Sequence, residues 1–95
     1  MGFSTKQVHA GVRPDPITGS ILTPVYQSTT FVQESVDKYL AKGYSYSRSG
    51  NPTVTALEEK ITVLENGVAC TCYSTGMAAI QAVIQATLSA GDHAI

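Results

Sequence analysis

Val54, Leu57, Ile61 and Leu64 recur every three or four positions, with Glu58, Glu59, Lys60 and Glu65 on the other faces. That spacing predicts an amphipathic helix. Local chemistry marks its ends. Asn51 offers a side-chain oxygen to the unpaired N–H groups of a first turn, and Pro52 occupies the first helical position, where a missing N–H costs nothing. Asn66-Gly67 supplies the residue type that closes a helix. Val68 to Tyr73 is a short apolar run suited to a buried strand. From Gly76 to Ser89 the chain is uncharged, helix-forming and apolar almost all round, so this second helix needs cover on most sides. Ala90-Gly91 ends it, and Asp92 to Ile95 opens the next strand. Strand, helix and strand predict a right-handed βαβ unit of a parallel sheet, hence an α/β fold.

Residues 1–43 have little helical periodicity and many turn signals: Ala10-Gly11, Arg13-Pro14-Asp15-Pro16, Thr18-Gly19-Ser20 and Thr23-Pro24. Proline restricts each residue before it to extended geometry. Pro24 to Val32 has β propensity without strict alternation. The segment is expected to form an extended arm that buries little by itself and lies across another domain or subunit, with a short helix from Ser35 to Lys42.

Composition narrows the function classes. The 95 residues allow one domain at most. Only 14% are charged, below the roughly 25% usual for soluble domains, which points to a surface covered by other protein. A net charge of −1 and a mean hydropathy of +0.05 leave no electrostatic footprint for nucleic acid or an acidic membrane. No secretory leader opens the chain, and Lys6 stands where a myristoylation motif needs Ser or Thr. Gly, Ser, Thr and Gln interrupt the uncharged span from Asn66 to Gly91, which therefore belongs to a protein interior and not to a membrane. Cys70 and Cys72 are the only cysteines. Two residues apart on a strand they share a face without bridging, and they fit the reducing cytoplasm. His9 and His93 lack a second ligand at metal-binding spacing and are expected to be structural.

Two stretches carry candidate chemistry, and both favour an anion. Ser74-Thr75-Gly76-Met77 opens the second helix, where free N–H groups and about half a positive charge collect. Gly76 lets a phosphate approach the backbone, and Thr75 or Ser74 adds a hydroxyl. In the turn-rich loop Tyr44-Ser-Tyr-Ser-Arg-Ser-Gly-Asn-Pro-Thr53, Arg48 brings a guanidinium fork for phosphate and Tyr46 a hydroxyl donor. A surface arginine and an ordinary capped helix are the plainer alternatives.

YSYSRSGNPT, then YSTGMAAI, then AGDHAI, with TKQVHAG and TPVYQSTTF before them, resemble the pyridoxal-phosphate (PLP) enzymes of cysteine and methionine metabolism. These are the cystathionine γ-lyases, cystathionine γ-synthases and methionine γ-lyases. The resemblance covers essentially the whole chain and implies the start of the large cofactor domain of a fold-type-I enzyme. Residues 1–43 would be its arm, and 44–95 the first part of the PLP-binding α/β domain. It implies that Tyr46 and Arg48 reach the cofactor phosphate of a neighbouring identical subunit, and that Gly76 and Met77 give backbone N–H groups to the phosphate in their own subunit. The implied partners are the remainder of the enzyme, sister subunits of a homotetramer and a sulfur amino acid substrate. PLP chemistry needs a Schiff-base lysine and a carboxylate on the pyridine nitrogen. The family's lysine falls in a later Ser/Thr-rich segment; Lys6, Lys38, Lys42 and Lys60 stand in other contexts. No catalytic residue is therefore expected here, and the 95 residues alone are expected to be inactive. YSRSGNPT leans towards a γ-lyase. A short non-catalytic paralogue acting as an interaction module is the alternative, and an independent phosphate-binding domain lacks the glycine-rich fingerprints it needs.

Overall fold

The periodicity between Val54 and Leu64 becomes helix α2, Pro52–Leu64, in a computed structural model that describes residues 2–38 and 43–95. Both ends form as their side chains dictate. Asn51 is extended, and its Oδ1 accepts from the Thr53 N–H at 2.9 Å. At the far end Asn66 takes a φ of +53°, and the Gly67 N–H donates to the Thr62 carbonyl at 2.9 Å. Helix α3, Gly76–Thr87, begins where expected and stops two residues before Ser89. Thr75 caps it, Oγ1 accepting from the Ala78 N–H at 3.0 Å.

An additional helix, α1, spans Phe3–His9 within the segment expected to be extended. Seven residues are too few to hold a helix alone. It packs on α2, and the Lys60 ammonium donates to the Val8 carbonyl at 3.5 Å. Next to it Gly11, at φ +69°, lies against the α2 backbone. A Cβ there would come within 3.0 Å of the Ala56 carbonyl oxygen and the Lys60 nitrogen. Residues 3–11 thus lie on α2 of their own chain, within the segment expected to run as an extended arm across another domain or subunit. Of the helix expected from Ser35 to Lys42, residues 36–38 are helical and 39–42 lie outside the described residues.

Which side of α2 meets the chain is also reversed. Glu58, Glu59 and Lys60, on the polar faces where an amphipathic helix meets solvent, are half-buried. Glu58 Oε1 accepts from the Cys72 N–H at 2.9 Å, and Glu59 pairs with Arg13 at 3.7 Å. Val54, Leu57 and Ile61 are the exposed ones, Leu57 at 51%. Amphipathic spacing identifies a helix and its two faces; it does not say which nearby segment of the same chain lands on which face.

The two expected strands are absent. Residues 68–73 and 92–95 form no ladder, and the described residues hold one isolated antiparallel bridge, between Thr30 and Tyr46. A strand exists only by pairing, and parallel strands need helices over both faces. Here 68–73 finds a carboxylate on α2, and α3 contacts neither α1 nor α2. The βαβ unit is therefore represented by its helix alone. Among the described residues no hydrophobic side chain is buried, and Asn51, at 5% exposure, is the most enclosed.

Candidate functional site

The loop that carries Tyr46 and Arg48 is built from both sides. Pairing of 29–31 with 45–47 supplies two backbone bonds, Phe31 N–H to the Ser45 carbonyl at 3.0 Å and Ser47 N–H to the Thr29 carbonyl at 2.7 Å. The Gln33 amide donates to the Phe31 and Tyr44 carbonyls at 2.9 and 2.8 Å. The Tyr44 ring lies 5.9 Å from that of Phe31, and its hydroxyl donates to Thr55 Oγ1 at 3.3 Å. With the incoming segment held, the chain turns tightly: the Ser49 and Gly50 N–H groups donate to the Tyr46 carbonyl at 2.9 and 3.1 Å.

That turn brings Arg48 back over Tyr46. The guanidinium carbon sits 4.9 Å from the ring centroid, and Nη2 donates to the phenol oxygen. A cation over a ring face is favourable by itself. The hydrogen bond matters more for chemistry. The phenol accepts from Arg48, so its own proton is left to donate, and the guanidinium keeps further N–H donors. Tyr46 is half-buried and Arg48 exposed, so the pair brings a guanidinium and a phenol together at a turn that solvent reaches. Phosphate and carboxylate are the groups such a fork fits.

The second candidate lies at the start of α3. Thr75 uses its hydroxyl oxygen on Ala78 and its carbonyl on Ala79. The Gly76 and Met77 N–H groups have no acceptor among the described residues. Both residues are exposed, and a Cβ built on Gly76 meets nothing within 4 Å. Two adjacent N–H donors at the positive end of a twelve-residue helix thus face open space.

Tyr46 joins Arg48, and Gly76 joins Met77, but the two pairs do not meet. Arg48 lines a cavity of about 310 Å³ with Asn51, Glu58, Thr71 and Cys72, and neither Gly76 nor Met77 reaches its wall. Burial, and then the neighbouring Cys70 thiol, push the Cys72 thiol above its ordinary range. Such a thiol stays protonated at neutral pH and is a poor nucleophile. Hydrogen bonds from Thr18 hold the Asp15 carboxyl below the usual carboxylate range, a feature of its own turn, remote in sequence from both pairs. Cys70 and Cys72 are free thiols, and no group of His, Cys, Asp or Glu among the described residues could hold a metal. No helix among them is long and apolar enough to cross a membrane.

Asn51 does more than its helix-capping role predicted. Its Nδ2 donates to the Tyr26 carbonyl at 2.9 Å and to Ser47 Oγ at 3.1 Å. Thr53 extends the link, donating from Oγ1 to the Pro24 carbonyl and accepting from the Tyr26 N–H, each at 2.8 Å. The signal was available: asparagine brings two amide protons that Ser, Thr or Asp at a cap would not.

Known proteins resemble the chain along nearly all of its length. It is 45% identical over 94 residues to a cystathionine gamma-synthase of Mycobacterium leprae, covering 99% of this chain and 24% of that protein. It is 47% identical over 93 residues to a cystathionine beta-lyase of Lactococcus lactis, covering 98% and 24%. The crystal structure of metB from Corynebacterium glutamicum superposes with a TM-score of 0.88 at 47% identity, over 98% of this chain and 24% of that one. The chain thus spans about a quarter of the length of these relatives. Residues 4–95 match the model of the Cys/Met metabolism PLP-dependent enzymes, and the chain belongs to that family.

Proposed function

We propose that this chain is the N-terminal part of a fold-type-I, PLP-dependent enzyme that eliminates or replaces groups at the β or γ carbon of sulfur amino acids, in the manner of a cystathionine γ-lyase. Residues 1–43 serve as the arm and 44–95 as the first part of the cofactor domain. The observation that carries this is the Tyr46–Arg48 pair, a guanidinium hydrogen-bonded to a phenol at a turn where Arg48 is exposed. The donor set fits the cofactor's phosphate: a guanidinium fork and a phenol in one pair, two unpaired N–H groups at a helix start in the other. Bound there, pyridoxal phosphate supplies the electron sink for breaking bonds next to the substrate's amino group. This chain's residues anchor and orient; of its lysines, Lys38 pairs with Glu34 and Lys60 donates to the Val8 carbonyl. Tyr46 and Arg48 serve a neighbouring identical subunit, Gly76 and Met77 their own, which accounts for the separation of the two pairs. Free thiols at Cys70 and Cys72 suit a reducing cytoplasm.

Relatives with different reactions match at 45% and 47% identity. Cofactor anchoring common to all of them explains this, with substrate choice lying in other parts of the enzyme. The test is Arg48→Ala in the assembled enzyme. A charged hydrogen bond contributes roughly 1.5–3 kcal/mol, so cofactor affinity should fall about 10- to 150-fold. Arg48→Lys keeps the charge without the fork and should recover only part of the loss. Equal cofactor affinity in wild type and Arg48→Ala would refute the assignment.

A further inference from the structure

We infer that Asn51 is a positioning residue for the Tyr46–Arg48 anion site, an inference that rests on the phosphate role proposed for that pair. Helix capping does not account for it. The Oδ1 bond to the Thr53 N–H completes the cap, and serine would cap as well. What asparagine adds is Nδ2, and both of its bonds leave the helix. One goes to the Tyr26 carbonyl and one to Ser47 Oγ, the side chain between the two proposed ligands. Ser47 is thereby held at both ends. Its N–H is fixed by the Thr29 carbonyl at 2.7 Å and its hydroxyl by Asn51 at 3.1 Å.

The geometry of the turn makes this hold count. Among the described residues, the backbone between Tyr46 and Ser49 makes the turn bonds to the Tyr46 carbonyl and the Ser47 bridge bond. Arg48 itself is exposed and reaches no carboxylate among the described residues. Its alignment over Tyr46 depends on the backbone between them, whose centre is Ser47. Asn51 is the most enclosed described residue, so water competes poorly for its amide protons. A ligand pair held in place before binding gives up less freedom on binding, and so binds more tightly.

The phosphate contribution can be isolated by measuring dissociation constants of the assembled apoenzyme for pyridoxal 5'-phosphate and for pyridoxal, which lacks the phosphate. Asn51→Ser keeps a neutral cap and removes both outward bonds; Ser47→Ala removes only the acceptor at the loop. Each should lower the phosphate-to-pyridoxal affinity ratio roughly 3- to 10-fold, the range of one neutral hydrogen bond, with pyridoxal binding unchanged. Arg48→Ala sets the scale and should lower the ratio further. If Arg48→Ala lowers the ratio and both other variants leave it at the wild-type value, Asn51 is a structural cap only and the inference is overturned. If Arg48→Ala itself leaves the ratio unchanged, the pair is not a phosphate site, and the role of Asn51 falls with it. Should Asn51→Ser fail to assemble, the ratio in Ser47→Ala decides alone.

Discussion

Gly76 and Arg48 would meet the proposed anion by opposite means, one by having no side chain and the other by having the longest cationic one. At Gly76 the open space makes a clean experiment possible. A Cβ meets nothing within 4 Å outside its neighbours and its own helix, so the first carbon of Gly76→Val has room, while the added bulk hinders close approach of an anion to the backbone. In the assembled enzyme we expect cofactor affinity to fall roughly tenfold or more, as when a charged hydrogen bond is lost. The thermal midpoint of the cofactor-free form should stay near wild type. A lowered midpoint with unchanged cofactor affinity would reduce Gly76 to a helix-start residue. Tyr46, Arg48, Gly76 and Met77 could be proposed from residue types, because phosphate asks for guanidinium, hydroxyl and backbone N–H. The contact between Tyr46 and Arg48 was not legible, since two residues at i and i+2 meet only if the backbone turns between them.

Elements were legible where their ends are decided locally. Asn51-Pro52 and Asn66-Gly67 fix α2 through one side-chain bond and one left-handed residue, and both lie within the sequence window that defines them. α1 was hidden because its stability comes from α2, some fifty residues away, and the strands failed because pairing belongs to two segments at once. Gly11 joins these levels. It was visible as a turn residue, but its function is to let α1 and the following chain lie on the α2 backbone. Gly11→Ala must abandon φ +69° or force its Cβ within 3.0 Å of the Ala56 oxygen and Lys60 nitrogen, main-chain atoms of a helix that cannot swing aside. Gly19, at φ +73° with nothing within 4 Å, isolates the conformational part. Gly19→Ala should therefore cost about 1 kcal/mol and Gly11→Ala about 1–3 kcal/mol more, read as the difference between their urea midpoints in the assembled protein. Equal midpoints would mean that α1 does not dock through Gly11.

On the scale of the whole molecule, accessible area says how the chain is to be studied. Its 7703 Å² compares with about 5,200 Å² for a folded monomer of 10.0 kDa and about 14,500 Å² for the unfolded chain. It hides about 47% of its unfolded surface, where a self-sufficient domain of this size hides about 64%. The radius of gyration, 16.6 Å, likewise exceeds the roughly 12 Å of a compact chain of this length. Part of the uncovered area is apolar. Met77 is 71% exposed and Val83 62%, with Ile80 and Ile84 beside them on α3. With no buried hydrophobic side chain among the described residues, little opposes the conformational entropy of about 1–2 kcal/mol per residue for the backbone. Residues 1–95 prepared alone should therefore aggregate or unfold without cooperativity, their far-UV helical signal fading gradually with urea from zero denaturant. The measurement is circular dichroism against urea, paired with mass from light scattering at each concentration. A steep single transition from a species of 10.0 kDa would overturn this, because it requires a core that the hydrogen bonds around Asn51 and the contact of α1 with α2 do not provide.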